Sequence, residues 1–320
     1  MFDVKKMIKE ITSKKEIKNV SFAGCGGSLA CFYASYYYIT REAKTISANY
    51  ATANEFVHDT PKNVGENSIV VIASRRGNTA ETVEAGRVAK KLGATVIGLA
   101  YEKNTAMEKI VDYTIYFDDA EGTPFEVGKS AYALKIAYET VHAIEGNEKY
   151  EAMVASMAKM NEIIPAAKEA IVPEAIKFSI DYKDDKIIYT MGSGTAWAAA
   201  QQQTICILME MQWINSSVIH TGEFFHGPFE ITDSDTAFLL LKSTGKTKAL
   251  DERTLTFLNQ YNHHLTVIDG EKYGMKELGE VSEYFDYDFY TAMLDVYNHL
   301  LADMRDHPLN KRKYMWKYNY

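Results

Sequence analysis

The chain has 320 residues, 47% of them apolar, with a net charge of −8 and a mean hydropathy of −0.25. That is enough apolar material for two globular domains, and the acidic balance argues against a nucleic-acid binder, which carries a basic face. The charged N-terminal stretch lacks the apolar centre of a secretory signal, and no apolar run nears the roughly 18 to 20 residues that span a bilayer. The expectation is a cytoplasmic protein with no membrane and no nucleic-acid partner.

In chain order, residues 19–24 (NVSFAG) read as a short strand running into glycines, followed by a helix over 28–40 and a second strand in KTISANY. Residues 67–74 (NSIVVIAS) form a nearly continuous β-branched run, as a buried parallel strand requires. Residues 79–93 read as a helix, with Ala80, Val83 and Val88 apolar and Gly93 as its stop. ATVIGLAY and YTIYF complete the strands. Strands alternating with helices imply a parallel α/β sheet.

The plan then repeats. Residues 150–185 read as largely helical, and DKIIYTMGSGTA ends in the same kind of glycine cluster as NVSFAGCGGS. Gly24 and Gly192 lie 168 positions apart, as do Gly77 and Gly245, and Thr79 and Thr247. ATVIG and LTVID match at an offset of 171. One offset shared by separate turn motifs indicates a duplicated α/β domain, expected as 1–165 and 166–320, the second carrying a C-terminal tail. Cys25, Cys31 and Cys206 are too few and too poorly spaced for a disulfide framework or a zinc site. They read as buried thiols, and no metal is expected.

Two stretches carry chemistry. SRRGNT follows a strand and opens a helix. It offers the hydroxyls of Ser74 and Thr79, backbone N–H groups around Gly77, a helix N-terminus and two arginines, which together suit a phosphate. Asn78 with Glu81 fits a helix-capping pattern. The Walker ending G-K-[ST] is missing, and GCGGSLA has Leu29 where a dinucleotide loop needs its third glycine, so no nucleotide cofactor is expected. The second copy, KSTGKT, reads as a turn. Residues 196–214 read as one helix with Glu210 a lone carboxylate in an apolar surround. That carboxylate is either exposed on a polar stripe with Gln201, Gln202 and Gln203 or buried with a raised pKa. HTGEFFHGPFE, residues 220–230, then packs histidines, glutamates and phenylalanines into one loop, in which Phe224 and Phe225 would exclude water.

The GCGGS and SRRGNT turns, the duplication and the HGPFE segment together resemble the sugar isomerase (SIS) domain family, including the isomerase half of glucosamine-6-phosphate synthase. ICILMEMQWI, IHTGEFFHGPFEI and the tail DHPLNKRKYMWKYNY are similar to the bacterial fructosamine-6-phosphate deglycases within that family. The resemblance spans nearly the whole chain and implies two tandem SIS subdomains, each a parallel sheet flanked by helices. By position it implies that Ser74, Arg76 and Thr79 hold a sugar phosphate with help from Ser28, although the family pattern S-x-S-G-x-T has serine where this chain has Arg76. It implies that Glu210 moves the substrate proton and that His226, sixteen residues on, is the second group. Glu223 is a rival carboxylate or an orienter of His226. Lys313 lies near the tail lysine that forms a Schiff base in the synthase relatives.

The activity implied is release of an amine from a phosphorylated Amadori product, without cofactor, in a homodimer or dimer of dimers whose sites are shared across subunits. A hexose-6-phosphate aldose–ketose or amino-sugar isomerase and a non-catalytic sugar-phosphate-binding protein are the competing readings.

Overall fold

The computed structural model describes residues 1–120 and 122–318, in two compact units, Met1–Asn161 and Glu162–Tyr320. Asn319 and Tyr320, the last residues of the tail motif, lie outside the described residues. The division falls within one continuous helix, Tyr150–Ala170.

The first unit is a five-stranded, all-parallel sheet. Its strands are β1 (Asn19–Gly24), β2 (Ser47–Thr52), β3 (Ser68–Ser74), β4 (Thr95–Ala100) and β5 (Tyr113–Tyr116), in the order β2-β1-β3-β4-β5. Every residue of β1, β3 and β4 is buried, because helices cover both faces of the sheet. That burial is why these segments read as unbroken apolar runs. On one face Val70, Ile72 and Val96 pack with Phe56, Val83, Ala89 and Met107. Helices Val4–Lys14, Tyr33–Glu42 and Lys129–Glu145 pack together in the same unit. The helix expected over 28–40 is two pieces, Gly27–Ala30 and Tyr33–Glu42. The break turns Phe32 inward, fully buried, with its ring centroid 5.4 Å from that of Phe22. Gly93, at φ +87°, ends helix Ala80–Lys91 as expected.

The second unit repeats the design with four parallel strands: β6 (Ile187–Gly192), β7 (Asn215–His220), β8 (Phe238–Lys242) and β9 (Leu265–Asp269), in the order β7-β6-β8-β9. In both sheets the second strand lies on one side of the first and the third on the other. Gly24 and Gly192 end the equivalent strands β1 and β6, so the 168-residue offset marks equivalent structural positions.

The helix expected over 196–214 is α-helical only over Ala196–Gln202 and becomes a π-helix over Gln203–Met209. Glu210 N–H donates to Ile205 C=O at 3.3 Å and Gln212 N–H to Ile207 C=O at 2.8 Å, each five residues back. The wider turn seats two polar residues in the interior. The Gln203 and Asn298 amides exchange hydrogen bonds of 2.6 and 3.0 Å, and Thr204 meets Thr190. Gln203 is therefore core, not part of a solvated stripe.

Candidate active site

In the first unit the chain changes direction across the sheet between β1 and β3. A crevice opens at the carboxyl ends of the strands at such a point. Ala23 pairs with Ile72, so the turns after Gly24 and Ser74 leave from neighbouring strand ends. Ser28 belongs to the first turn, and Ser74, Arg76 and Thr79 to the second. Cys25 Sγ lies 3.9 Å from Thr82 Oγ1, which ties the first turn to the helix that the second one opens.

Ser74 Oγ and Thr79 Oγ1 are 2.9 Å apart. Thr79 is the N-cap of helix Ala80–Lys91, yet its hydroxyl turns to Ser74 and makes no capping bond. The first-turn amides have no partner within the helix, and the positive end of its dipole lies there. Asn78 does not cap this helix. Its Oδ1 accepts from Ala106 N–H at 2.9 Å because the loop carrying Thr105 packs against Gly77, whose φ is +62°. Arg75 is committed to Asp119, at 2.6 and 2.7 Å, while its guanidinium stacks on Tyr101. Arg76 is exposed on the turn.

One residue of this crevice escaped the sequence reading. Lys129 Nζ donates to Ser28 Oγ at 3.2 Å. The only cue in the sequence is a lysine at the head of a helix 101 positions away. Among the described residues no carboxylate hydrogen-bonds Ser28, Ser74 or Thr79.

The equivalent crevice of the second unit holds the chain's own acids. Asp286 accepts from Thr244 N–H at 2.9 Å, Thr244 Oγ1 at 2.6 Å and Ser243 Oγ at 3.2 Å. Asp251 accepts from Ser193 Oγ, Thr221 Oγ1 and Ser243 N–H at 2.9, 2.6 and 2.7 Å. Glu283 packs against Gly245, where any Cβ would collide with its carboxylate. Burial raises the pKa of Asp251 and pushes that of Asp286 well above the usual carboxylate range. KSTGKT is thus a turn whose hydroxyls and amides already hold a carboxylate.

Glu210 stands where the π-helix ends. It is neither solvated nor sealed in apolar side chains: its Oε1 accepts from Arg312 Nε at 2.9 Å and Nη2 at 2.7 Å. Arg312 is 7% exposed, and its Nη1 donates to the carbonyls of Leu309 and Lys311. The tail is therefore pinned to this carboxylate. Glu210 Oε2 has no protein hydrogen bond among the described residues. The residue lines a cavity of about 460 Å³ with Met209, Trp213, Arg312, Lys313 and Met315.

His226 lies apart from Glu210 in this unit, exposed on the loop. No contact joins their side chains among the described residues. Phe224 is fully buried and packs with Phe225, Phe229 and Phe238, which fixes the loop. Glu223 is exposed and touches His226 only through the main chain, its C=O accepting from His226 N–H at 2.9 Å. Burial lowers the pKa of His220, whose Nδ1 accepts from Gly222 N–H.

Two parallel sheets built on one repeated plan, the first with the hydroxyls of Ser28, Ser74 and Thr79 gathered at its strand ends, place the chain among duplicated α/β proteins. The SIS domain model matches residues 15–144. The chain is 36% identical over 307 residues, 96% of its length and 94% of the relative's, to fructosamine deglycase FrlB of Bacillus subtilis (strain 168). The chain belongs to the SIS domain family. It is also 23% identical to the fructoselysine 6-phosphate deglycase of Escherichia coli O157:H7, over 80% of this chain and 74% of that one. A crystal structure from Salmonella typhimurium LT2, provisionally described as a phosphosugar isomerase, superposes with a TM-score of 0.97 at 44% identity, covering 99% of this chain and 96% of that one.

Proposed function

We propose that the chain is a deglycase acting on fructosamine 6-phosphates, the phosphorylated Amadori products. The observation that carries this reading is the 36% identity to a fructosamine deglycase through 96% of the chain. In this reading 1–165 and 166–320 are its two SIS domains. The hydroxyls of Ser74 and Thr79, with the first-turn amides, take the phosphate oxygens. Ser28 and Lys129 complete the cradle, and Arg76 adds charge at its rim. Glu210 removes the proton from C1 of the ketosamine to give the 1,2-enaminol and returns a proton to C2. His226 polarises O2 and assists ring opening; Glu223, expected as its orienting acid, meets it only through the main chain and takes no part in this step. Water then adds to the Schiff base at C1 and the amine leaves. One fructosamine 6-phosphate and one water become one glucose 6-phosphate and one amine.

The reading places the protein in the cytoplasm as a homodimer. The absence of a disulfide among Cys25, Cys31 and Cys206 supports a reducing compartment, and among the described residues no helix is long and apolar enough to cross a membrane. A second reading, aldose–ketose isomerisation, draws on the Salmonella structure at 44% identity. It uses the same proton transfer on a substrate without the C1 amine. Incubation with fructosamine 6-phosphates of several amines should release glucose 6-phosphate. Turnover of fructose 6-phosphate alone would give the site to the isomerase.

A further inference from the structure

Each unit is closed by a long helix that packs on the helices before and after its first strand. In the first unit Lys129–Glu145 meets Val4–Lys14 and Tyr33–Glu42; in the second Asp286–Met304 meets Val172–Tyr182 and Ala196–Gln202. The two closing helices are therefore equivalent, and so are their first residues, Lys129 and Asp286. These lie 157 positions apart rather than 168, so the offset of the turns does not pair them. The second sheet has one strand fewer before its closing helix. Both side chains reach the turns at their own sheet's strand ends, and they carry opposite charges.

The hydrogen bonds of the two crevices follow from that exchange. A lysine ammonium has three donors and no acceptor. The bond from Lys129 Nζ to Ser28 Oγ, at 3.2 Å, thus uses a lone pair of the hydroxyl, whose own hydrogen meets no acceptor among the described residues. Either Ser74 or Thr79 donates to the other, which leaves one more O–H to give. Among the described residues no carboxylate pairs with Lys129. The residue is half-buried, its Nζ 5.6 Å from the ring centroid of Phe117. Phe117 is buried, and its N–H donates to the C=O of Ala100 at the end of β4. The first crevice therefore holds spare donors beside an ammonium that no carboxylate meets. In the second crevice Ser243 and Thr244 give their donors to Asp286, which is fully buried.

We propose that Lys129 is the countercharge by which the first crevice selects a doubly charged phosphate monoester, and that Asp286, in the same place, bars the second crevice to it. The assignment rests on the phosphate reading of the first crevice and names the residue that sets its charge preference. It gives the larger part of the charge to a half-buried residue of the closing helix. Arg76 is exposed on the turn, where water and salt screen it more.

The test uses inorganic phosphate, whose binding calorimetry reads without turnover, and then KM for a fructosamine 6-phosphate. Lys129→Met keeps the stem over Phe117 and removes the charge. It should raise the phosphate Kd and the substrate KM roughly ten- to a hundredfold, with kcat moving less. Lys129→Arg should recover part of the loss. Lys129→Asp, which copies the second unit, should bind phosphate more weakly than Lys129→Met, because like charges repel. A phosphate monoester gains its second charge at about pH 6, so KM should fall as pH rises through that point, and in Lys129→Met it should fall less. A Lys129→Met protein that binds phosphate as tightly as the unmodified one overturns the proposal, as does an unmodified protein that binds none. A Lys129→Asp protein equal to Lys129→Met overturns the parallel with Asp286. Phosphate binding that depends on Lys129, without release of glucose 6-phosphate from any fructosamine 6-phosphate, upholds the role of Lys129 and overturns the deglycase reading alone.

Discussion

Replacing Glu210 by Gln preserves its size and the oxygen that Arg312 contacts, and removes the group proposed to carry the proton. The expected result is a kcat lower by roughly 10²- to 10⁴-fold with KM little changed. Ser74→Ala and Thr79→Val should show the opposite split. Each removes a hydroxyl from the proposed phosphate cradle, where a hydrogen bond to a charged group is worth roughly 1.5–3 kcal/mol, so KM should rise tenfold or more while kcat moves less. Steady-state kinetics on one fructosamine 6-phosphate separates the two sets. A Glu210→Gln enzyme with near-normal kcat would remove that carboxylate from the chemistry. Arg312 belongs to this scale as a positioning residue, because it fixes one Glu210 oxygen and leaves the other without a protein partner.

At the level of elements, the strands were legible because strands buried on both faces must be written in apolar residues, as in the uninterrupted SIVVIAS of β3. The SRRGNT turn was legible because hydroxyls, a glycine and a helix start fall within six residues. The π-helix was not, since seven residues are too few for its wider turn to register in the hydrophobic pattern. Nor were the pairings that give the sites their character, because they join distant segments. Arg312 and Glu210 are 102 positions apart, and Ser28 and Lys129 are 101. Asp286 meets Thr244 across 42.

Burial of Asp286, against the opposing pull of its Thr244 hydrogen bonds, makes the stability of the second crevice pH-sensitive. A carboxyl with a raised folded-state pKa contributes most below its unfolded value, near 3.8, and loses that contribution as pH rises through the folded value. Burial raises both Asp286 and Asp251, with Glu283 adding to the first and Lys242 opposing the second. Asp286→Asn should lower Tm at every pH through lost hydrogen bonds, and by less at pH 7.5 than at pH 4.5. A Tm deficit that stays constant across that range would show that Asp286 does not titrate with unfolding.

At the scale of the whole molecule the question is how Glu210 and His226 could serve the one proposed reaction, since among the described residues no contact joins their side chains within the unit that carries both. His226 is exposed on a loop whose phenylalanines are locked into the core, so a large swing toward Glu210 would have to break that packing. The homodimer proposed above would resolve the conflict if each site took Glu210 from one chain and His226 from the other. Mixing two inactive proteins tests it. Glu210→Gln and His226→Asn subunits, unfolded together and refolded at equal amounts, give half mixed dimers. Each mixed dimer then holds one site with both native groups, so activity should return to about a quarter of the unsubstituted level. If both groups act within one chain, every chain in the mixture lacks one of them and activity stays at the background of the separate variants. Recovery near a quarter, with the two variants alone remaining inactive after the same treatment, would place His226 in its partner's site.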